Sequence, residues 1–138
     1  MWVGPLLDRI DLHIEVKPVE YKKISSNEVV ETSKDIRKRV NNARKIQLER
    51  YKNLKLYSNS ELTPSLIEKF CKLDSISKNI LKKAFEQLGL SGRAYGRILK
   101  VARTIADLDG EENIKQDHIL EAIQYRSLDR KYWRRDKI

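Results

Sequence analysis

The stretch SGRAYGRILKVARTIADLDG, residues 91–110, sets Arg93, Arg97, Lys100 and Arg103 three or four residues apart. At about 100° per residue, that spacing gathers the four cations on one stripe of a helix. Ala94, Ile98, Val101, Ala102, Ile105 and Leu108 fall mostly on the other side. Arg93 would stand in the first turn, where free backbone amides and the positive end of the helix dipole already attract phosphate. An arginine is otherwise disfavoured there. The stripe therefore reads either as an anion site or as an ordinary solvated face. Gly92 and Gly96 form a GxxxG spacing that predicts close helix packing. The second candidate is Arg9, at the end of GPLLDR, which could equally pair with its neighbours Asp8 and Asp11.

Other chemistries are poorly supplied. Cys71 is the one cysteine, so no intrachain disulfide forms, and with only His13 and His118 beside it there is no spaced zinc ligand set. None of the five glycines lies in a phosphate-loop or dinucleotide-binding pattern. No apolar run reaches the roughly 18 residues of a spanning helix, and the N-terminus lacks a secretory pattern, so a cytoplasmic protein without membrane contact is expected.

The length of 138 residues suits one domain, and 40% hydrophobic with 36% charged residues suits a charge-rich globular chain. Its net charge of +9 is concentrated. Residues 34–55 carry nine Lys and Arg against Asp35 and Glu49, and residues 126–138 carry six against Asp129 and Asp136. Concentrated bases favour a polyanion or an acidic partner. Lys34, Arg37, Lys38, Arg44 and Lys45 are the candidate nucleic-acid contacts.

The positioning elements follow from periodicity. Ile10, Leu12, Ile14 and Val16 alternate with Asp11, His13 and Glu15, as in a half-buried strand that Pro18 ends. A lone strand has no ladder partner, so this arm should be poorly ordered or paired with a second copy. The rest reads as about five helices. A capping box of Ser25 and Glu28 opens a long basic helix from about Ser26 to Asn53. Thr63 with Pro64 opens a second, Asp74 or Ser75 a third that Gly89 stops, Ser91 a fourth to Asp109, and about Gln116 to Ser127 a fifth. The predicted fold is an all-α helical bundle with an extended N-terminal arm holding one orphan strand.

GPLLDRIDLHIEV, a helix containing IRKRVNNARKIQLERY, then SGRAYGRILKVARTIADLDG and HILEAIQYRSLDR resemble the C-terminal portion of the Mg-chelatase-like AAA+ ATPases of the competence-protein ComM (YifB) group. The resemblance runs in order from Gly4 to about Arg130. It implies that residues 1–24 are an arm with the last strand of an ATPase core, 25–130 a helical lid domain, and 131–138 a basic C-terminal tail. The phosphate loop and the magnesium-holding acids are implied to lie upstream. These 138 residues alone would then be no enzyme and hold no cofactor, whereas the complete protein would be an ATPase using ATP and Mg2+.

Carried over by residue, the resemblance implies that Arg9 is an arginine finger acting in trans, Arg93 the sensor-2 arginine and Arg97 a neighbouring candidate for nucleotide contact. It further implies a homo-oligomer, a hexamer, whose partners are its own core and the neighbouring subunits. The complete protein would be a DNA helicase or branch-migration motor. The alternative is a free-standing DNA-binding module, with Gly89-Leu90-Ser91-Gly92 as the turn of a helix-turn-helix.

Overall fold

Two consecutive helices begin where a side chain accepts an amide that the first turn leaves free, whereas Thr63 makes no such bond and its helix opens on Pro64. Asp74 Oδ1 accepts the Ser77 amide at 2.7 Å and opens the helix Ser75–Leu88. Ser91 Oγ accepts the Ala94 amide at 3.3 Å and opens Gly92–Leu108. Between them Gly89, at φ 61°, ends the first of these helices in the left-handed conformation that glycine adopts without a Cβ clash. The structure is a computed structural model that describes Leu6, residues 9–27 and residues 29–126.

Six helices stand among the described residues: α1 (Tyr21–Ile24), α2 (Ser33–Tyr51), α3 (Pro64–Phe70), α4 (Ser75–Leu88), α5 (Gly92–Leu108) and α6 (Gln116–Gln124). Two 3-10 turns, Lys52–Leu54 and Asn59–Glu61, fold the chain back between α2 and α3. The fold is all-α, as the periodicity predicts. α5 is the central element, packed against α2, α3 and α6. Ala94, Ala102 and Ala106 have no exposed surface, so neighbouring helices approach α5 closely. Tyr51 from α2 meets Phe70 from α3 edge to face at 5.1 Å, and Ile98, Leu99, Ile114 and Ile119 complete the buried layer.

Three expectations are corrected. First, residues 10–16 form no strand, and none exists among the described residues, because a ladder needs a second strand. The arm is nonetheless docked on its own chain. The His13 amide donates to the Tyr125 carbonyl at 2.8 Å, and Arg126 Nη1 donates to the Ile10 carbonyl. Neither side of the alternation is buried as a face: His13 alone is buried, while Asp11 and Glu15 are exposed and Ile14 and Val16 are 65% and 86% exposed.

Second, α2 begins at Ser33, not about Ser26. Thr32 and Asp35 form a reciprocal capping box, with bonds of 3.2 and 3.3 Å between each backbone amide and the other's side chain. That box satisfies two donors at once, while the β-branched pair Val29 and Val30 stays outside the helix. Glu28, the other half of the predicted box, lies outside the described residues, as does the basic tail beyond Arg126. Third, the GxxxG pair is not a close-packing seam. A Cβ at Gly92 would meet nothing within 4 Å, and one at Gly96 would meet only Ile67 Cδ1 at 3.5 Å, an ordinary contact.

Candidate functional site

Those two glycines instead leave space beside the first turns of α5. A cleft of about 910 Å³ opens there. Its walls come from the arm through Asp11 and Leu12, the second 3-10 turn through Ser60, the start of α3 through Pro64 and Ile67, and α5 itself. Arg93, Arg97 and Lys100 line it from α5, and Arg39 joins them from α2. Four cations from two helices thus face one concave surface that also contains the acids Asp11, Asp109 and Glu121.

The four cations are held differently. Arg93 is exposed in the first turn of α5, with no ion pair to a described side chain. Arg97 Nη1 pairs with Asp11 of the arm. Lys100 Nζ donates to the Ser60 carbonyl at 3.1 Å, and Arg39 pairs with Glu31 at 2.6 Å. The free amides at the start of α5 and Arg93 beside them offer fork-like donors with little to release before an anion binds.

Arg103, the fourth cation of the sequence stripe, is not part of this surface. It is 4% exposed; Nη1 donates to the Glu112 carbonyl at 2.9 Å and Nη2 to the Glu111 carbonyl at 3.0 Å. It also lies 3.3 Å from Asp107. Asp107 is the hub of a buried network absent from the sequence reading. Its two carboxylate oxygens accept from Arg50 Nη2 at 2.5 Å and Nη1 at 3.0 Å, and Oδ2 accepts from Asn59 Nδ2 at 3.0 Å. Asn59 Oδ1 accepts from the Tyr51 hydroxyl at 2.5 Å, and its backbone amide donates to Gln47 Oε1 at 3.0 Å.

Burial disfavours the Arg50 charge, but the bonds to Asp107 outweigh it and hold the guanidinium above its ordinary range. Burial pushes the Cys71 thiol, within the field of Arg103, Arg50 and Asp107, up to about 11. The readable signal for the network was Asp107 four residues after Arg103 on one helix, the i,i+4 spacing of an ion pair.

Arg9 is exposed and lies outside the cleft, its amide donating to the Leu6 carbonyl at 3.1 Å. Lys34, Arg37, Lys38, Arg44 and Lys45 are all exposed along α2. The structure thus brings Arg93 and Arg97 together and keeps Arg9 and the α2 bases apart from them. Among the described residues no group of three or more His, Cys, Asp or Glu is placed to hold a metal, and no helix is long and apolar enough to cross a membrane. A recognition helix must be free to enter a DNA groove. α5, which would have that role in the helix-turn-helix alternative, is the element around which the others pack.

The family model described as magnesium chelatase, subunit ChlI C-terminal, matches residues 30–126. The chain is 46% identical over 126 residues to the competence protein ComM of Haemophilus influenzae, covering 91% of this chain and 24% of that protein. It is 43% identical over 129 residues to YifB of Escherichia coli, covering 92% and 24%. An uncharacterised protein of Mycobacterium tuberculosis is 30% identical over 123 residues, covering 89% and 24%. The chain spans about a quarter of the length of these curated relatives. It belongs to the magnesium chelatase subunit ChlI C-terminal family, in the form found in ComM-like proteins.

Proposed function

We propose that this domain is the helical lid of an oligomeric AAA+ ATPase, in which Arg93 and Arg97 sense the phosphates of a bound nucleotide and the complete protein is a DNA-translocating motor in the cytoplasm. The observation that carries the reading is the cleft beside α5, where Arg93 stands without an ion-pair partner among the described side chains, flanked by Arg97 and Lys100. Four cationic side chains line it, beside the carboxylates of Asp11, Asp109 and Glu121, and their donors suit phosphate oxygens. The described residues offer no clustered carboxylates for Mg2+, so ATP and its metal would be held chiefly by other parts of the complete protein. ATP supplies the cleavable phosphoanhydride. This chain's residues bind and orient: Arg93 meets phosphate oxygens, and movement of α5 carries the change to the packed bundle.

Arg9 acts as the arginine finger toward a neighbouring subunit's nucleotide, stabilising charge that develops during phosphoryl transfer. Elsewhere such a role is worth on the order of 10³ to 10⁵ in rate. Arg9 is exposed and does not line the cleft, which suits an action across a boundary.

A mixing experiment tests the assignment in the complete protein. Rings of Arg9→Ala subunits alone, or of phosphate-loop mutants alone, should be inactive. Mixed rings should regain hydrolysis, because an intact phosphate loop then faces an intact Arg9. Mixed rings that stay inactive while each mutant assembles and binds ATP would overturn the trans role.

A further inference from the structure

Asp11 brings a carboxylate of the chain's own arm into the cationic cleft. It pairs with Arg97 across 86 residues of sequence. The pair sits at the mouth of the cleft, with side-chain exposures of 57% for Asp11 and 30% for Arg97, so a solute can reach both groups. Arg93 and Lys100 line the same surface. The arm is also anchored beside the cleft: the His13 amide donates to the Tyr125 carbonyl, Arg126 Nη1 donates to the Ile10 carbonyl, and His13 is buried. Val16 and Val19, beyond it, are 86% and 61% exposed.

We propose that Asp11 is a built-in occupant of this anion site, and that a polyphosphate group entering the cleft takes Arg97 from Asp11 and thereby loosens the arm's neighbouring attachment at Tyr125 and Arg126. The proposal rests on the reading of the cleft as a phosphate site and adds a consequence for the arm. A carboxylate offers Arg97 one negative charge. A polyphosphate offers several, with oxygens placed to accept from Arg97, Arg93 and Lys100 together. Being tethered, Asp11 competes at a high effective concentration, so a dilute monocarboxylate such as acetate does not displace it, whereas a multivalent anion does. Coupling of this kind is reciprocal: ligand weakens the arm's attachment, and the attached arm weakens ligand binding by the same factor.

The test uses the 138-residue chain with inorganic tripolyphosphate as the probe, binding followed by calorimetry and arm release by hydrogen exchange at the His13 amide. Wild-type chain should bind tripolyphosphate, and saturation should speed His13 exchange. Asp11→Asn should bind it about two- to five-fold more tightly, the size expected for removing a partly exposed competing ion pair. In that variant His13 should exchange faster without ligand and respond little to its addition.

Arg97→Gln should bind more weakly and lose the exchange response. If wild type and Asp11→Asn both bind but His13 exchange is unmoved by saturating probe, the displacement is overturned and the phosphate reading of the cleft survives. A rise in affinity for Asp11→Asn without that response is then a general charge effect. If neither chain binds tripolyphosphate, both readings fail.

Discussion

Arg50 on α2 forks both carboxylate oxygens of Asp107 on α5, at 2.5 and 3.0 Å, with Asp107 fully buried. The fork fixes the basic helix to the central one. Removing the acid leaves Arg103, 4% exposed, without its buried counter-charge and takes one of two acceptors from the Asn59 amide, which keeps Thr104 Oγ1. Asp107→Ala should therefore lower unfolding stability by about 3–5 kcal/mol. Urea denaturation of the purified chain measures this, and a loss below about 1 kcal/mol would show the pair to be structurally idle.

Cys71 supplies an alkaline signature. Its folded-state pKa, about 11, lies above the ordinary thiol value, so the protonated form is favoured in the fold. The associated stability is complete below the unfolded pKa, near 9, and is lost as pH rises through about 11. The burial that raises the Tyr51 hydroxyl acts in the same direction. Stability measured from pH 8 to 11 should fall, and less steeply in Cys71→Ala. At pH 8 a thiol-specific reagent should label Cys71 only as fast as the chain opens.

Helix caps give the acid side. Bonds from Thr32 hold the Asp35 carboxyl below its ordinary range, and the Ser77 amide does the same for Asp74. Their stabilisation is present above the unfolded carboxylate pKa, near 4, and disappears as pH falls through the lower folded values. Asp74→Asn should flatten the drop in melting temperature between pH 5 and pH 2. An unchanged acid limb would mean that the cap contributes nothing in solution.

The basic face of α2 should bind duplex DNA weakly and with little sequence preference. Lys34, Arg37, Lys38, Arg44 and Lys45 stand exposed along one helix, able to displace condensed counterions. Arg44→Glu with Lys45→Glu should weaken binding and reduce the slope of log affinity against log salt by about one per lost phosphate contact. No detectable binding at low salt would assign the face to an acidic protein surface.

Most helix positions were legible because their signals are local. Asp74, Ser91, Thr63 with Pro64, and Gly89 each act within one turn, and α3 to α5 lie where those residues require. What escaped the sequence depends on partners far along the chain. Arg103 shares its helical stripe with Arg97, but the carbonyls of Glu111 and Glu112 draw it inside. Asn59 carries no periodic signal and becomes a hub only because the chain folds back over α5. In the arm, alternation predicts an apolar face turned inward. Instead the His13 amide bonds the Tyr125 carbonyl and the Arg126 guanidinium bonds the Ile10 carbonyl, which buries His13 and leaves Ile14 and Val16 exposed. Arg93 and Arg97 were legible as candidates from their place in the first turns of α5, whereas Asp11 as their neighbour was not, being 86 residues from Arg97.

The central claim is that Arg93 couples this domain to nucleotide, and ATP hydrolysis by the complete protein carrying Arg93→Ala tests it most directly. A guanidinium contact to phosphate is worth roughly 1.5–3 kcal/mol, so steady-state hydrolysis should fall at least ~10-fold. Circular dichroism and oligomer size should be unchanged, because the Arg93 side chain is exposed and supports no described contact in the bundle. Hydrolysis within two-fold of wild type by a correctly assembled variant would contradict the claim.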